Sequence, residues 1–204
     1  MLSNLCIVFQ ELIQPSDALI KLLAAISTAS ARHVTDGTLP LLFIALPDEA
    51  PSRDSPIEIS KYRRVLQLLA RLCIQPPLFE TLVIRLLAKL DILFSRTGDA
   101  VDSEPVAAYA HSLLQTLSRV LALKVKENHV DIPKYLDLLI IPLYNLFVSS
   151  ALQRPDGIAT NERLLVVAGK VISIVVRALP TRSGDCCCFK RPALTVCPGN
   201  KRSS

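Results

Sequence analysis

The chain has 204 residues, half of them hydrophobic, with 23 Lys and Arg against 18 Asp and Glu for a formal charge of +5. That length holds one or two compact domains or a stretch of repeat array. The charge is uneven: residues 181–204 carry five Lys and Arg and one Asp, whereas the first 180 carry 18 bases and 17 acids, so the body lacks the basic field that phosphate neutralisation requires, and no direct nucleic-acid binding is expected.

A mean hydropathy of +0.40 calls for a test against membrane spans. The longest uncharged run, residues 138–153, is 16 residues long and contains Pro142 and Asn145, short of the roughly 20 apolar residues that cross a bilayer. The N-terminus has no basic region ahead of its apolar residues, and Glu11 interrupts them, which argues against a secretory signal. Neither membrane association nor a small-molecule substrate is expected. Four of the six cysteines lie in the tail; Cys6 and Cys73 occupy apolar helix positions. This usage fits a reducing compartment, cytoplasmic or nuclear, better than a disulfide framework.

In chain order, residues 2–13 form an amphipathic helix with Leu5, Val8, Phe9 and Leu12 on one face. Pro15 and Ser16 end it. Ser16 is positioned to cap the next helix, residues 17–33, whose Leu19, Leu22, Leu23 and Ile26 turn inward. Asp36-Gly37 reads as a turn, after which Thr38 caps a short helix with Pro40 in its first turn. Residues 48–56, flanked by Pro47 and rich in proline and charge, form an exposed loop. Two helices follow, hinged at Pro76-Pro77. In the first, Tyr62, Val65, Leu66, Leu69, Leu72 and Cys73 recur at i, i+3, i+4 and i+7, and in the second Phe79, Leu82, Val83, Leu86, Leu90, Leu93 and Phe94 do the same. Ile84 and Leu87 widen the second apolar surface, so that helix needs neighbours on two sides.

An acidic loop at 97–104 leads to a helix over 105–126, capped by Ser103, with Val106, Tyr109, Leu113, Leu117, Val120 and Leu121 buried. Residues 128–131 turn. The next helix spans 132–152 with Pro133 near its start and carries Pro142 inside it, where a kink is expected. After a loop at 153–160, a last helix covers 161–179. From Thr181 the periodicity stops, and the basic, Cys-containing tail to 204 reads as disordered.

These segments group as pairs, 2–13 with 17–33, 38–47 with 57–75, 77–96 with 105–126 and 132–152 with 161–179. Spacings near those of helical-repeat arrays predict an all-α fold, a HEAT/armadillo-like right-handed solenoid of antiparallel helical hairpins over residues 1–180, about four pairs in all. An array ending after the last pair would lack a polar capping repeat.

No chemistry emerges from the polar residues. Cys186, Cys187, Cys188 and Cys197 do not match the C-x2-C spacing that lets two thiolates converge on a metal, and no histidine is near them. His33, His111 and His129 lie on different helices, and His111-Ser112 are helix neighbours pointing apart with no third group. Gly169-Lys170 falls inside a helix, without the upstream glycine of a phosphate loop. The reading is non-enzymatic, with no cofactor and no metal. The candidate site is a basic ridge on the central hairpin, Arg64, Gln67 and Arg71 on one helix and Arg85 and Lys89 on the next, suited to an acidic protein partner.

The strings TLPLLFIALPDEAP and KYRRVLQLLARLCIQPPLFETLVIRLLAKLDIL, above all the Leu72-Cys73-Ile74-Gln75-Pro76 junction and the helix from Leu78 to Leu90, resemble the HEAT-repeat family named for methyl-methanesulfonate sensitivity, described as nucleotide-excision-repair and transcription regulators. The likeness covers about residues 35–180. It implies a scaffold of the cytosolic iron–sulfur assembly targeting complex, docking targeting subunits and client apoproteins and supporting DNA repair and transcription through cluster delivery. Members of that family are far longer, so this chain resembles a fragment of one, and no family motif assigns individual contact residues. The alternative from the pattern alone is a generic helical-repeat module in nuclear transport or trafficking.

Overall fold

The structure, a computed structural model, describes residues 17–96, 103–155 and 157–179. The expected helix at 2–13, the Ser16 cap, most of the acidic loop, the tail and every cysteine but Cys73 lie outside them. Among the described residues all regular structure is helical. The main helices are α1 (Asp17–Ala29), α2 (Leu39–Ile44), α3 (Pro56–Leu72), α4 (Pro76–Arg96), α5 (Ser103–Lys126), α6 (Leu136–Gln153) and α7 (Glu162–Arg177).

Local chemistry accounts for most of the ends. Pro56 opens α3, and Pro76 and Pro77 open α4, where a missing N–H costs no intrahelical bond. Helix α5 closes with Asn128 at φ 57°. The His129 and Asn128 amides turn back to the Lys124 and Val125 carbonyls at 2.9 and 3.1 Å, a Schellman ending in which Asn tolerates the left-handed backbone. Asn161 caps α7 by accepting from the Arg163 amide at 3.1 Å. Pro142 lies inside α6 and leaves the Leu138 carbonyl without its usual donor, yet the helix runs on to Gln153.

One stretch departs from expectation. The helix expected over 17–33 breaks at Ser30, φ −151°, and Asp36-Gly37 does not turn. A helical turn at Ala31–His33 runs through a π-helical segment, Val34–Thr38, into α2. The Leu39 amide reaches back to the Val34 carbonyl, and Thr38 is helical with no capping bond. The wider π turn precedes Pro40, which has no amide to give, so the local ladder is already rearranged where proline would break it.

Packing then follows two rules. Each even helix packs against the odd helix after it, α2 with α3, α4 with α5 and α6 with α7, and helices two apart also pack, α1 with α3, α3 with α5, α5 with α7 and α4 with α6. Thus α1, α3, α5 and α7 form one layer. The second contains α4 and α6, with the π segment joined to α4. The predicted core is accurate for α3, α4 and α5, where every stripe residue is buried except the half-buried Val106. Three expectations fail. Ile84 is 49% exposed, and Leu22 and Ile26 are 55% and 40% exposed. Helix α1 instead buries Ser27, whose hydroxyl is satisfied by the Ala24 carbonyl at 2.7 Å. Residues 2–13, the cover expected for Leu22 and Ile26, are not among those described.

Residues Ile132–Gln153 are long and apolar enough, by length and composition, to cross a membrane. In the fold Leu139, Leu143 and Phe147 face the core, while a second stripe of Ile141, Tyr144, Val148 and Leu152 is exposed. Because α5 is packed by α3, α4 and α7, Leu113→Ala is expected to lower the unfolding free energy by about 2–5 kcal/mol. Ile84→Ala should cost under about 0.5 kcal/mol. Urea denaturation followed by circular dichroism distinguishes the two.

Candidate functional site

The polar groups with the most defined geometry hold loops against helices. Lys124 lies in the apolar stripe of α5 and is fully buried. Its Nζ donates to the Ile74 carbonyl and to Asp131 Oδ2, both at 2.7 Å, and lies 5.1 and 5.8 Å from the ring centroids of Phe79 and Tyr135. Those two rings meet edge to face at 4.8 Å. The Tyr135 hydroxyl donates to the Pro76 carbonyl at 3.1 Å. One ammonium therefore joins the α3–α4 junction, the start of α4, the end of α5 and the turn before α6.

Burial pulls the Lys124 ammonium below its ordinary value, with the Asp131 carboxylate partly offsetting the effect. Burial would raise the Asp131 carboxyl, but the hydrogen bond and charge of Lys124 outweigh it and hold the group below the usual carboxylate range. Asp131 Oδ1 has no hydrogen-bond donor and faces His129 Nδ1 at 3.7 Å.

A second clamp holds the 48–56 loop. Lys89 donates to the Leu46 and Pro47 carbonyls at 3.3 and 2.6 Å and to Asp48 Oδ1 at 3.1 Å. The Tyr109 hydroxyl reaches the same Pro47 carbonyl at 2.8 Å, and burial, followed by the nearness of Tyr62 and Asp48, pushes that hydroxyl's pKa up.

The expected ridge is divided by the fold. Arg64, Gln67 and Arg71 are exposed on α3, in the odd-helix layer. Arg85 is exposed on α4 in the other layer, beside a cleft of about 630 Å³ lined by Phe43, Ile44 and Ile92. Lys89 also borders that cleft, but its ammonium is engaged by the loop, and its side chain is 15% exposed. A second groove, of about 560 Å³, runs between α4 and α6 over Leu87, Phe94, Pro142 and Leu146.

Among the described residues no group of three or more His, Cys, Asp or Glu is placed to hold a metal. The Ser112 hydroxyl bonds the Ala108 carbonyl at 2.9 Å, and His33 pairs with Ser30 at 2.6 Å. Cys73 is a buried free thiol whose pKa burial pushes up. The clamps were legible in part: Lys124 stands seven residues after Leu117, within the apolar stripe, a position where a lysine must find partners. The identity of those partners was not legible.

A family model described as RNAPII transcription regulator C-terminal matches residues 65–185, which take in α4 to α7 and the whole Lys124 clamp. No curated protein and no solved structure matches the chain.

Asp131→Ala, which leaves the Lys124 ammonium buried without its counter-ion, is expected to cost about 3–5 kcal/mol. Because Asp131 is held below its unfolded carboxylate value, its stabilisation is complete above about pH 5 and is lost as pH falls through the lowered folded value. Asp131→Asn should remove that part of the acid dependence, read as urea midpoints across the acid range.

Proposed function

The chain belongs to the methyl-methanesulfonate-sensitivity family through its RNAPII transcription regulator C-terminal region, matched over more than half of its length, and on that premise we propose that it is a non-enzymatic scaffold in cytosolic iron–sulfur protein assembly. It docks targeting subunits and client apoproteins, and supports DNA repair and transcription through the clients it helps to mature. The family's own description is that of a transcription regulator.

The packing order supports the reading. Every helix from α3 to α7 touches a sequence neighbour and a helix two places away, the neighbour relation expected of stacked helical hairpins. We read the chain as a HEAT-like right-handed solenoid on that ground. Such a stack presents clefts between successive helices of one layer, and two open on the even-helix side. Clefts with apolar floors and polar rims suit multivalent protein docking. The buried Cys73 thiol fits a reducing cytoplasmic and nuclear setting.

Affinity capture of the full chain from cells, followed by mass spectrometry, tests this. Recovery of assembly-targeting subunits together with cluster-containing clients is the expected result. Recovery of nuclear transport or trafficking factors alone would assign the chain to a generic helical-repeat carrier and reject the scaffold.

A further inference from the structure

We infer that the outer face of the α3–α5–α7 layer is a docking surface for an extended, acidic segment of a protein partner. Three pairs of basic residues carry it, Arg64 and Arg71 on α3, Arg119 and Lys126 on α5, and Lys170 and Arg177 on α7. Each pair is seven residues apart, two helical turns, so both members share a face, and all six are exposed.

The fold brings one member of each pair into a common row. Tyr62 of α3 meets Tyr109 of α5 with ring centroids 4.8 Å apart, and Arg163 of α7 bonds Glu104 of α5 at 3.3 Å. The three helices therefore enter the layer at the same level and run in the same direction. Counted from those contacts, Arg71, Arg119 and Arg177 form one row across the layer. Seven residues advance a helix by about 10 Å, and packed helices stand about 8–10 Å apart. The resulting basic lattice is staggered: Arg64 and Lys170 lie about 10 Å nearer the helix starts, level with His111, and Lys126 lies about 10 Å beyond the row.

Acidic residues are kept off this lattice. Each of the three helices has a single acid, and it lies in the first turn: Glu58, Glu104 and Glu162. Glu127 lies just past the end of α5, 3.3 Å from His129 Nε2. The other layer takes Glu80, Asp91 and Asp137. The α3–α5–α7 layer therefore carries a net positive charge, whereas the other layer sets Arg85, Lys89 and Lys134 against its three acids and is close to balance.

The same features select the partner. An extended chain rises about 3.3 Å per residue, so a carboxylate at every third position repeats at about 10 Å, and arginine binds carboxylate through two parallel bonds. Nucleic acid fits less well. Tyr62 and Tyr109 are buried, and the exposed Tyr144 is on α6, so these helices offer no aromatic platform for bases.

This deepens the scaffold reading, on which the idea of a client or subunit partner rests, but the surface is tested without either. The full chain is titrated against a fluorescein-labelled peptide of about 15 residues, with Glu at every third position among Ser and Gly, and anisotropy is read. The wild type is expected to bind, the triple variant R64E/R119E/K170E to lose roughly tenfold or more in affinity, and the control R85E/K134E/R154E, with the same charge change on the other layer, to stay within roughly twofold. Circular dichroism checks both folds. Should the triple variant unfold, Arg64→Glu and Lys170→Glu singly are each expected to weaken binding by roughly twofold to threefold. Equal losses in the two triple variants, no binding by the wild type, or tighter binding of single-stranded DNA of matching length would overturn the proposal. If the peptide results hold while affinity capture recovers only transport factors, the scaffold reading falls and this surface stands.

Discussion

A single buried cation organises the middle of this molecule. Lys124 has no water to solvate its charge, so the fold must supply a counter-ion, a carbonyl and aromatic faces around it. Asp131, Ile74, Phe79 and Tyr135 do so. They come from three parts of the chain, and satisfying one ammonium therefore sets where the α3–α4 junction, α4 and the turn before α6 lie relative to α5. Apolar contacts hold these helices together more strongly, but hydrophobic attraction has little direction. The clamp selects one docking of the loops among the many that would bury similar area.

The Lys89 clamp repeats the arrangement one step earlier along the chain. In each case a lysine donates to the carbonyls of the segment ahead of an odd or even helix, an aspartate shares the charge, and a tyrosine hydroxyl donates to a proline carbonyl: Tyr109 to Pro47, Tyr135 to Pro76. Proline residues make these loops stiff by fixing φ and contribute no amide of their own. Side chains of the helices donate to the carbonyls of these segments, so the stacking of one pair on the next is tied to side-chain chemistry as well as to area.

In the proposed reading, docking divides between the two layers. The even-helix side carries clefts with apolar floors, where partner side chains can be desolvated. The odd-helix side carries a spaced set of guanidinium and ammonium groups, which contribute orientation and association rate more than affinity. On the scaffold reading proposed above, a protein with both holds partners on opposite faces at once.

The helices and their buried faces were legible in the sequence because helical periodicity is a local property: Val65, Leu69 and Leu72, or Leu113, Leu117 and Val120, announce the inward side without reference to any neighbour. The central string also carried the family. The π segment was hidden behind Asp36-Gly37, since turn propensity is a weak local bias that neighbouring helices override. The ridge shows the same limit. Sequence adjacency joined Arg85 and Lys89 to Arg64 and Arg71, whereas stacking places α3 in one layer with α5 and α7 and turns Lys89 onto a loop. Which residues are apolar, and on what period, the sequence by itself determined. Which charges stand together, and which are consumed in holding loops, only the tertiary structure decided, because helices distant in sequence share a surface only when packed.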